Sequence, residues 1–182
     1  QDKRFKGMEE QLRSGWGALL KPLAWQGALC YGPSPSSKAT FTHPASLLKN
    51  WNGLPDPAEA APAVIKRYLS AYGPATPETF DAWLSRNSNK KSTLRGWFAS
   101  LGEQIVEVRV EGETRYLLAE HEDELAATRL SRATHLLGAF DQFVLGPGTK
   151  DTHMLAHEHR PLVSKAAGWI APVLTRGGRI TG

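Results

Sequence analysis

The sequence contains one cysteine, Cys30, so no internal disulfide can form. Cys30 lies in the apolar run 28–31, where a small buried hydrophobe is a better interpretation than a nucleophile, and a reducing compartment is the simplest setting. Long apolar runs are also missing, since none reaches the about 18 residues of a membrane-spanning helix, and no secretory leader pattern is visible at the start. These absences predict a cytoplasmic protein without a membrane span.

Motifs of common catalytic centres are missing as well. No glycine-rich phosphate loop follows a predicted strand, and neither Gly-x-Ser-x-Gly nor a Ser/His/Asp order occurs. The acids Glu78, Asp81, Glu103 and Asp141 stand isolated along the chain. From the residues alone we therefore identify no catalytic site and expect no small-molecule cofactor.

One cluster has metal-ligand residue types: Asp151, His153, His157 and His159. His153 and His157 would share one face of a helix, whereas His159 falls off that face and no cysteine contributes. Zinc requires three or four ligands with supporting partners. Scattered histidines are the better interpretation, and no metal site is predicted.

Positive charge is only in slight excess, with a net charge of +4 and a pI of about 9.3. This bias is compatible with a nucleic-acid partner, but many proteins that bind none have as much. The 17 glycines and 12 prolines predict short elements joined by many turns.

The middle of the chain, residues 56–120, has the pattern of three helices and a hairpin. Asp56 and Thr76 each precede a proline and an acid, which is typical of capped helix starts. A third amphipathic helix is predicted over residues 92–101, followed by strands at 105–110 and 114–118 around a Glu-Gly-Glu turn. This order predicts a complete winged helix, which is a helix-turn-helix with a β wing.

The two flanking regions predict incomplete modules. The pattern of residues 1–50 predicts helices at 4–13 and 15–25 and then a hairpin. We interpret this region as the remainder of another winged helix. Residues 134–182 are rich in strand patterns, with a strand predicted over 135–145 and a hairpin around 176–178, and we interpret them as the opening of a β-barrel. The predicted fold class is α+β: tandem winged helices, the first incomplete, followed by the start of a small β-barrel. Because the chain starts at a glutamine and stops inside a strand pattern, we expect a fragment.

Polar and basic residues cluster at the start of the third predicted helix. Helix N-termini, lysine charge and Asn or Ser donors all attract phosphate. Arg95 lies one turn further along, opposite Leu94 and Phe98, where it would meet base edges or phosphates. The predicted nucleic-acid contacts of this helix are Asn87, Asn89, Lys90, Lys91, Ser92 and Arg95.

Both hairpins add candidate contacts. Arg109 and Arg115 extend the predicted interface onto the wing, and Lys38 lies in the polar turn of the first hairpin. The alternative is that these are solvated charges on a winged helix that contacts protein. For Lys38 a plain exposed turn is an equally good interpretation.

Several segments resemble a known family. They are residues 15–27, the Arg-Tyr-Leu-x-x-Tyr-Gly-Pro-Ala-Thr motif at 67–76, the Leu-Leu-x-x-Phe-Asp motif at 136–141, and residues 168–182. Together they resemble the bacterial winged-helix DNA-binding family that includes the crosslink-repair DNA glycosylases, the azinomycin-resistance type among them. The resemblance implies a larger protein with tandem winged helices and a small β-barrel, arranged in a C shape around double-stranded DNA.

In such glycosylases the catalytic element is a short Gln-x-Gln or Gln-x-Asp motif in the first winged helix. Gln11, Gln26, Gln104 and Gln142 do not form that pattern, so no catalytic residue is assigned and the motif is expected upstream. The leading hypothesis is a DNA-binding part of a glycosylase-like repair protein that holds DNA mainly by its backbone. The alternatives are a sequence-specific transcriptional regulator and a winged-helix protein-interaction module. Under the leading hypothesis we expect a cytoplasmic, nucleoid-associated protein.

Overall fold

The computed structural model describes residues 20–34 and 36–182, and the chain divides after Asp56 into two compact units. Helices and small antiparallel sheets alternate along it, so the predicted α+β class is confirmed. The helix predicted over residues 4–13, and most of the one predicted over 15–25, lie outside the described residues. Within the described ranges, no helix is both long and apolar enough to cross a membrane.

The first unit contains helix α1, Lys21–Trp25, and a hairpin of strands β1, Cys30–Tyr31, and β2, Phe41–Thr42. Pro22 stands in the first turn of α1, where a missing N–H costs no helical hydrogen bond. The strands pair antiparallel, and the rings of Tyr31 and Phe41 stack with centroids 5.3 Å apart. The predicted hairpin around the polar turn is therefore confirmed.

The second unit begins with three helices: α2, Pro57–Tyr72, α3, Pro77–Ser85, and α4, Lys91–Ala99. Helix α2 runs through Pro62 without interruption. Helix α3 starts with a reciprocal cap, because the Thr76 hydroxyl accepts from the Thr79 N–H while the Thr79 hydroxyl accepts from the Thr76 N–H. The three predicted helices are thus present, with α4 starting one residue earlier than predicted.

A β-hairpin follows α4 and a short 3-10 turn, Gly102–Gln104. Strand β3, Ile105–Val110, pairs antiparallel with β4, Glu113–Leu118, along their full length. Glu111 and Gly112 both have positive φ, 48° and 88°, as a tight two-residue loop requires. On the other edge of β4, Tyr116 exchanges two backbone hydrogen bonds with Ala75, in the link between α2 and α3.

These helices and β4 enclose one hydrophobic core, formed by Ala61, Ile65, Tyr68, Leu69, Ala75, Phe80, Leu94, Phe98, Leu101 and Leu118. The helical spacing of Phe80, Trp83 and Leu84 predicts all three in this core, but the prediction is wrong for Trp83 and Leu84, since each is 43% exposed. Helix α3 is short and presents mainly Phe80 and Asp81 to the interior. Trp83 instead lies at the edge, with its ring 5.1 Å from that of Tyr68.

The rest of the second unit consists of short elements around a three-stranded antiparallel sheet in the order β5-β6-β7. The sheet strands are β5, Thr134–Leu137, β6, Val173–Arg176, and β7, Arg179–Ile180. The helical elements are α5, Glu122–Ala127, α6, Gln142–Leu145, and α7, Arg160–Val163, with 3-10 turns at Ala119–His121, His157–His159 and Ala166–Gly168. A further 3-10 turn, Pro44–Ser46, belongs to the first unit. Within the described residues this sheet is not closed into a barrel.

A second core lies beneath that sheet and contains Val144, Met154, Leu155, Val163, Ile170, Val173 and Ile180. The strand predicted over 135–145 ends early, because the Asp141 carboxylate accepts from the Phe143 N–H and starts α6. The hairpin predicted around residues 176–178 is confirmed by the pairing of β6 with β7.

The two cores meet at helix α2. The Tyr68 hydroxyl donates to the carbonyl of Gly146 at 3.4 Å, and the Tyr72 hydroxyl lies 3.3 Å from the Gln142 side-chain oxygen. Gly146 lies so close to the Tyr72 ring that any side chain there would collide with it. A glycine at this position therefore lets the second core approach α2.

Candidate nucleic-acid interface

The turn between α3 and α4 carries most of the candidate residues. It contains two consecutive residues with positive φ, Arg86 at 59° and Asn87 at 63°. The Asn87 N–H donates to the Asp81 carbonyl at 3.3 Å, so the chain folds back tightly before it enters α4 at Lys91. Left-handed backbone at two non-glycine residues costs about 1–3 kcal/mol each and must be stabilised by surrounding contacts.

The first turn of α4 is open to an anion. No side chain caps it and no acid lies within it, whereas α3 has both the Thr76 cap and Glu78. Lys90, Lys91 and Ser92 are exposed. Among the described residues, neither lysine forms an ion pair. Unpaired backbone N–H groups, the positive end of the helix dipole and two lysine charges therefore converge at one point.

Arg95 lies one turn into α4, exposed as predicted, while Leu94 and Phe98 are buried at 3% exposure each. Arg95 lines a surface groove together with Phe98, Glu107 and Tyr116. The Tyr116 hydroxyl lies 3.3 Å from Glu107 Oε1, and burial, followed by the nearby Glu107 charge, raises the pKa of Tyr116. The phenol therefore stays neutral and can donate a hydrogen bond to the carboxylate.

The side chain of Asn89 is occupied inside the protein. Its amide N–H groups donate to Asp81 Oδ1 at 2.7 Å and to Ser85 Oγ at 3.1 Å. Its backbone N–H donates to Asp81 Oδ2 at 3.3 Å. The sequence pattern predicts Asn89 as a DNA contact, but these bonds engage it within the turn. Asn87, by contrast, is exposed.

The two wing arginines lie on opposite faces of the hairpin. Arg109 is exposed and donates from Nη1 to the Thr114 hydroxyl at 2.9 Å, across the strand pair. By the pairing register it shares its face with Glu107 and Tyr116, which line the groove beside Arg95. Arg109 is therefore on the same side of the hairpin as α4.

Arg115 is 8% exposed and is fully engaged within the protein. Its Nε is 2.9 Å from Glu113 Oε2, and its Nη1 is 3.4 Å from both Asp151 Oδ2 and the Pro74 carbonyl. A buried cation with these partners is not available to a phosphate, so Arg115 is not retained as a candidate DNA contact. Strand alternation alone could not show which of the two arginines faced inward.

The tip of the wing is tied to the C-terminal segment. His153 Nδ1 lies 2.7 Å from Glu111 Oε2, His153 Nε2 lies 3.5 Å from Glu113 Oε2, and Arg179 binds the other oxygen of Glu111. The hydrogen bond from His153, followed by the charge of Arg179, lowers the pKa of Glu111. No local sequence signal predicted this cluster, since its members are far apart along the chain.

The histidines proposed as a weak metal candidate do not converge. Asp151 accepts from the His153 N–H at 2.9 Å and pairs with Arg115, while His157 and His159 lie exposed on a 3-10 turn. In the part of the chain that the structure describes, no group of three or more His, Cys, Asp or Glu side chains could hold a metal. Lys38 is exposed in the loop between β1 and β2, in the first unit.

Comparison with known proteins gives consistent matches. A family model described as "DNA glycosylase AlkZ-like" matches residues 3–182. The interstrand DNA cross-link repair glycosylase of Streptomyces sahachiroi is 59% identical over 182 residues, which cover 100% of this chain and 49% of that protein. The solved structure of Streptomyces sahachiroi DNA glycosylase AlkZ superposes with a TM-score of 0.87 at 59% identity, again covering 100% of this chain and 49% of that one.

The chain thus spans about half the length of the relatives it matches. The matched region includes all four segments on which the family resemblance was based. The resemblance is therefore confirmed, and the chain belongs to the AlkZ-like DNA glycosylase family.

Proposed function

We propose that this chain holds double-stranded DNA for an AlkZ-like repair glycosylase, mainly through the phosphate backbone. The observation that carries the proposal is the uncapped, acid-free first turn of α4 between the exposed side chains of Lys90 and Lys91. Such a turn favours phosphate through its N–H groups, its dipole and the adjacent positive charge.

The surrounding fold supports a winged-helix interpretation. Helices α2 to α4 followed by the β3–β4 hairpin have the order of that module, and the Ala75 bridge supplies the short third strand. Helix α4 is then the recognition helix, with Arg95 and Arg109 beside it. The β5–β7 sheet represents the opening of the predicted β-barrel, and the first unit represents the incomplete winged helix.

Backbone contact rather than base reading follows from the residue types. Lysines and helix N–H groups bind phosphates irrespective of sequence, whereas a base-reading surface needs bidentate side chains directed into the groove. Asn89, which could have read adenine, is held by Asp81 and Ser85 instead. We therefore expect binding with little sequence preference, at a nucleoid location in the cytoplasm.

The relatives' printed activity concerns repair of interstrand cross-links. For the whole protein that contains this chain we propose the same activity. We assign base excision to residues outside this chain, because its glutamines do not form the Gln-x-Gln or Gln-x-Asp motif. Two of them, Gln104 and Gln142, are instead hydrogen-bonded to Lys66 and Tyr72. The chain alone should bind duplex DNA without excising bases, and measurable excision would contradict this division of roles.

The direct test compares two single lysine removals by fluorescence anisotropy with a random-sequence duplex at several salt concentrations. Lys91→Ala should weaken binding and reduce the slope of log K against log salt by about 0.9, the value for one lost phosphate contact. Lys66→Ala removes the same charge beside Gln104, away from the start of α4, and should leave the slope unchanged.

Equal effects of Lys91→Ala and Lys66→Ala on affinity and salt slope would show that binding depends only on total charge, and would overturn the proposal. A site preferred strongly over random sequence would favour the regulator alternative. No binding by the unaltered chain at about 50 mM salt, where backbone binding is strong, would favour the protein-interaction module.

A further inference from the structure

Asp81 is a buried carboxylate that lacks a buried cation. It is 2% exposed in the middle of α3, and among the described residues it forms no ion pair. Burying a charge is expensive unless hydrogen bonds replace the lost water. Its burial must therefore be stabilised by its hydrogen-bond partners.

Those partners are donors from the last residue of α3 and from the turn that leads into α4. Asp81 Oδ1 accepts from the Ser85 hydroxyl at 2.5 Å and from the Asn89 side-chain amide at 2.7 Å. Asp81 Oδ2 accepts from the Asn89 backbone N–H at 3.3 Å. The short hydroxyl contact is within the range of charge-assisted bonds, which are about twice as strong as neutral ones.

The chemistry of the site suits a carboxylate and not an amide. Three donors point at the side chain, and an ionised carboxylate accepts at all of its lone-pair positions. An asparagine at this position would direct its own N–H groups toward one of those donors. The site is therefore specific for aspartate although the two side chains have nearly the same size.

Asn89 directly precedes Lys90, the residue at the start of α4. By holding both the backbone and the side chain of Asn89, Asp81 fixes where α4 begins and where its first N–H groups lie. The left-handed residues Arg86 and Asn87 would otherwise favour other turn conformations.

We propose that Asp81 is the positioning residue of the DNA interface, acting through Asn89 to hold the N-terminus of α4 in its phosphate-binding arrangement. This inference rests on the proposed backbone binding by α4. Asp81 would then contribute to DNA binding although none of its own atoms touches DNA.

The test is a double-mutant cycle between Asp81→Asn and Lys91→Ala, measured as duplex affinity and salt slope on the full chain. Asp81→Asn should weaken binding roughly tenfold and reduce the salt slope, because the helix start no longer meets its phosphate. The double variant should lose much less than the product of the two single losses, since both act on one contact.

Thr76→Ala is the matched control, because it removes the cap at the other end of the same helix. It should lower the melting temperature by removing about 1 kcal/mol, without changing the salt slope. If Asp81→Asn behaves like Thr76→Ala, or if its effect multiplies fully with that of Lys91→Ala, the positioning role is wrong.

Asn89→Ala covers the case in which Asp81→Asn does not fold. It removes the side-chain donors while Asp81 keeps the Ser85 hydroxyl and the backbone N–H of residue 89. It should show the same coupling to Lys91→Ala, and independent effects would overturn the inference. Because wild type and Lys91→Ala are measured in parallel, failure of the positioning role is distinguishable from failure of DNA binding itself.

Discussion

Arg109 and Arg115 lie on the same hairpin, yet their side chains have opposite environments. Arg109 is exposed beside Thr114, while Arg115 is buried against the carboxylates of Glu113 and Asp151. The sequence shows two arginines in strand patterns, and a strand pattern alternates faces without stating which face is covered. The residues that cover Arg115 lie in the C-terminal segment, so only the tertiary structure could assign its role.

Arg115→Ala should therefore destabilise the fold and not simply remove a DNA contact. The change leaves Asp151, whose side chain is 6% exposed, without its cation, and breaking a buried pair costs roughly 3–5 kcal/mol. Thermal unfolding should show a large fall in melting temperature. Arg109→Ala, an exposed change on the same hairpin, should stay within about 0.5 kcal/mol of wild type. Equal and small losses of stability for both variants would show that Arg115 does not form a stabilising buried pair with Asp151.

At the scale of elements, local sequence signals predicted the helices and the hairpin that caps, turns and apolar spacing determine. The Thr76 cap, the Glu-Gly-Glu turn and the apolar stripes located α2 to α4 and the β3–β4 hairpin within a residue or two. The strand predicted over 135–145 was partly wrong, because the Asp141 cap starts a helix after a short strand. The open first turn of α4 was predicted as a basic helix start, but the Asp81 and Asn89 network that shapes it required the fold.

The wing is an element whose tip is anchored by charge, and this gives a pH prediction. His153 and Arg179 lower the pKa of Glu111 below its ordinary value of 4.5. A group with a lowered folded-state pKa contributes stability above its unfolded pKa, and that contribution is lost as pH falls through the folded value. The melting temperature of wild type should therefore exceed that of Glu111→Gln at neutral pH, and the difference should shrink below pH 4.5.

Glu103→Gln is the control for that comparison, since Glu103 is exposed and forms no ion pair among the described residues. Its melting curve should follow that of wild type at every pH. A difference between wild type and Glu111→Gln that is constant with pH, or that grows in acid, would show that the wing tip is not held by the Glu111 charge.

At the scale of the whole chain, two kinds of surface are separated. The exposed acidic tip of the wing pairs with His153 and Arg179, so its negative charge is compensated within the protein. The start of α4 keeps its positive charges unpaired among the described residues, and Arg95 extends them along the helix. This charge distribution favours the start of α4 for a polyanion, as the proposed DNA-holding role requires.

The most direct test of this account is the affinity of the full chain for a random-sequence duplex, with and without charge reversal at the start of α4. The variant Lys90→Glu/Lys91→Glu/Arg95→Glu should lose at least roughly a hundredfold in affinity at low salt and most of its salt dependence, with an unchanged melting temperature. A folded variant that binds the duplex as tightly as wild type, with the same salt slope, would contradict the central claim that DNA is held at the N-terminus of this helix.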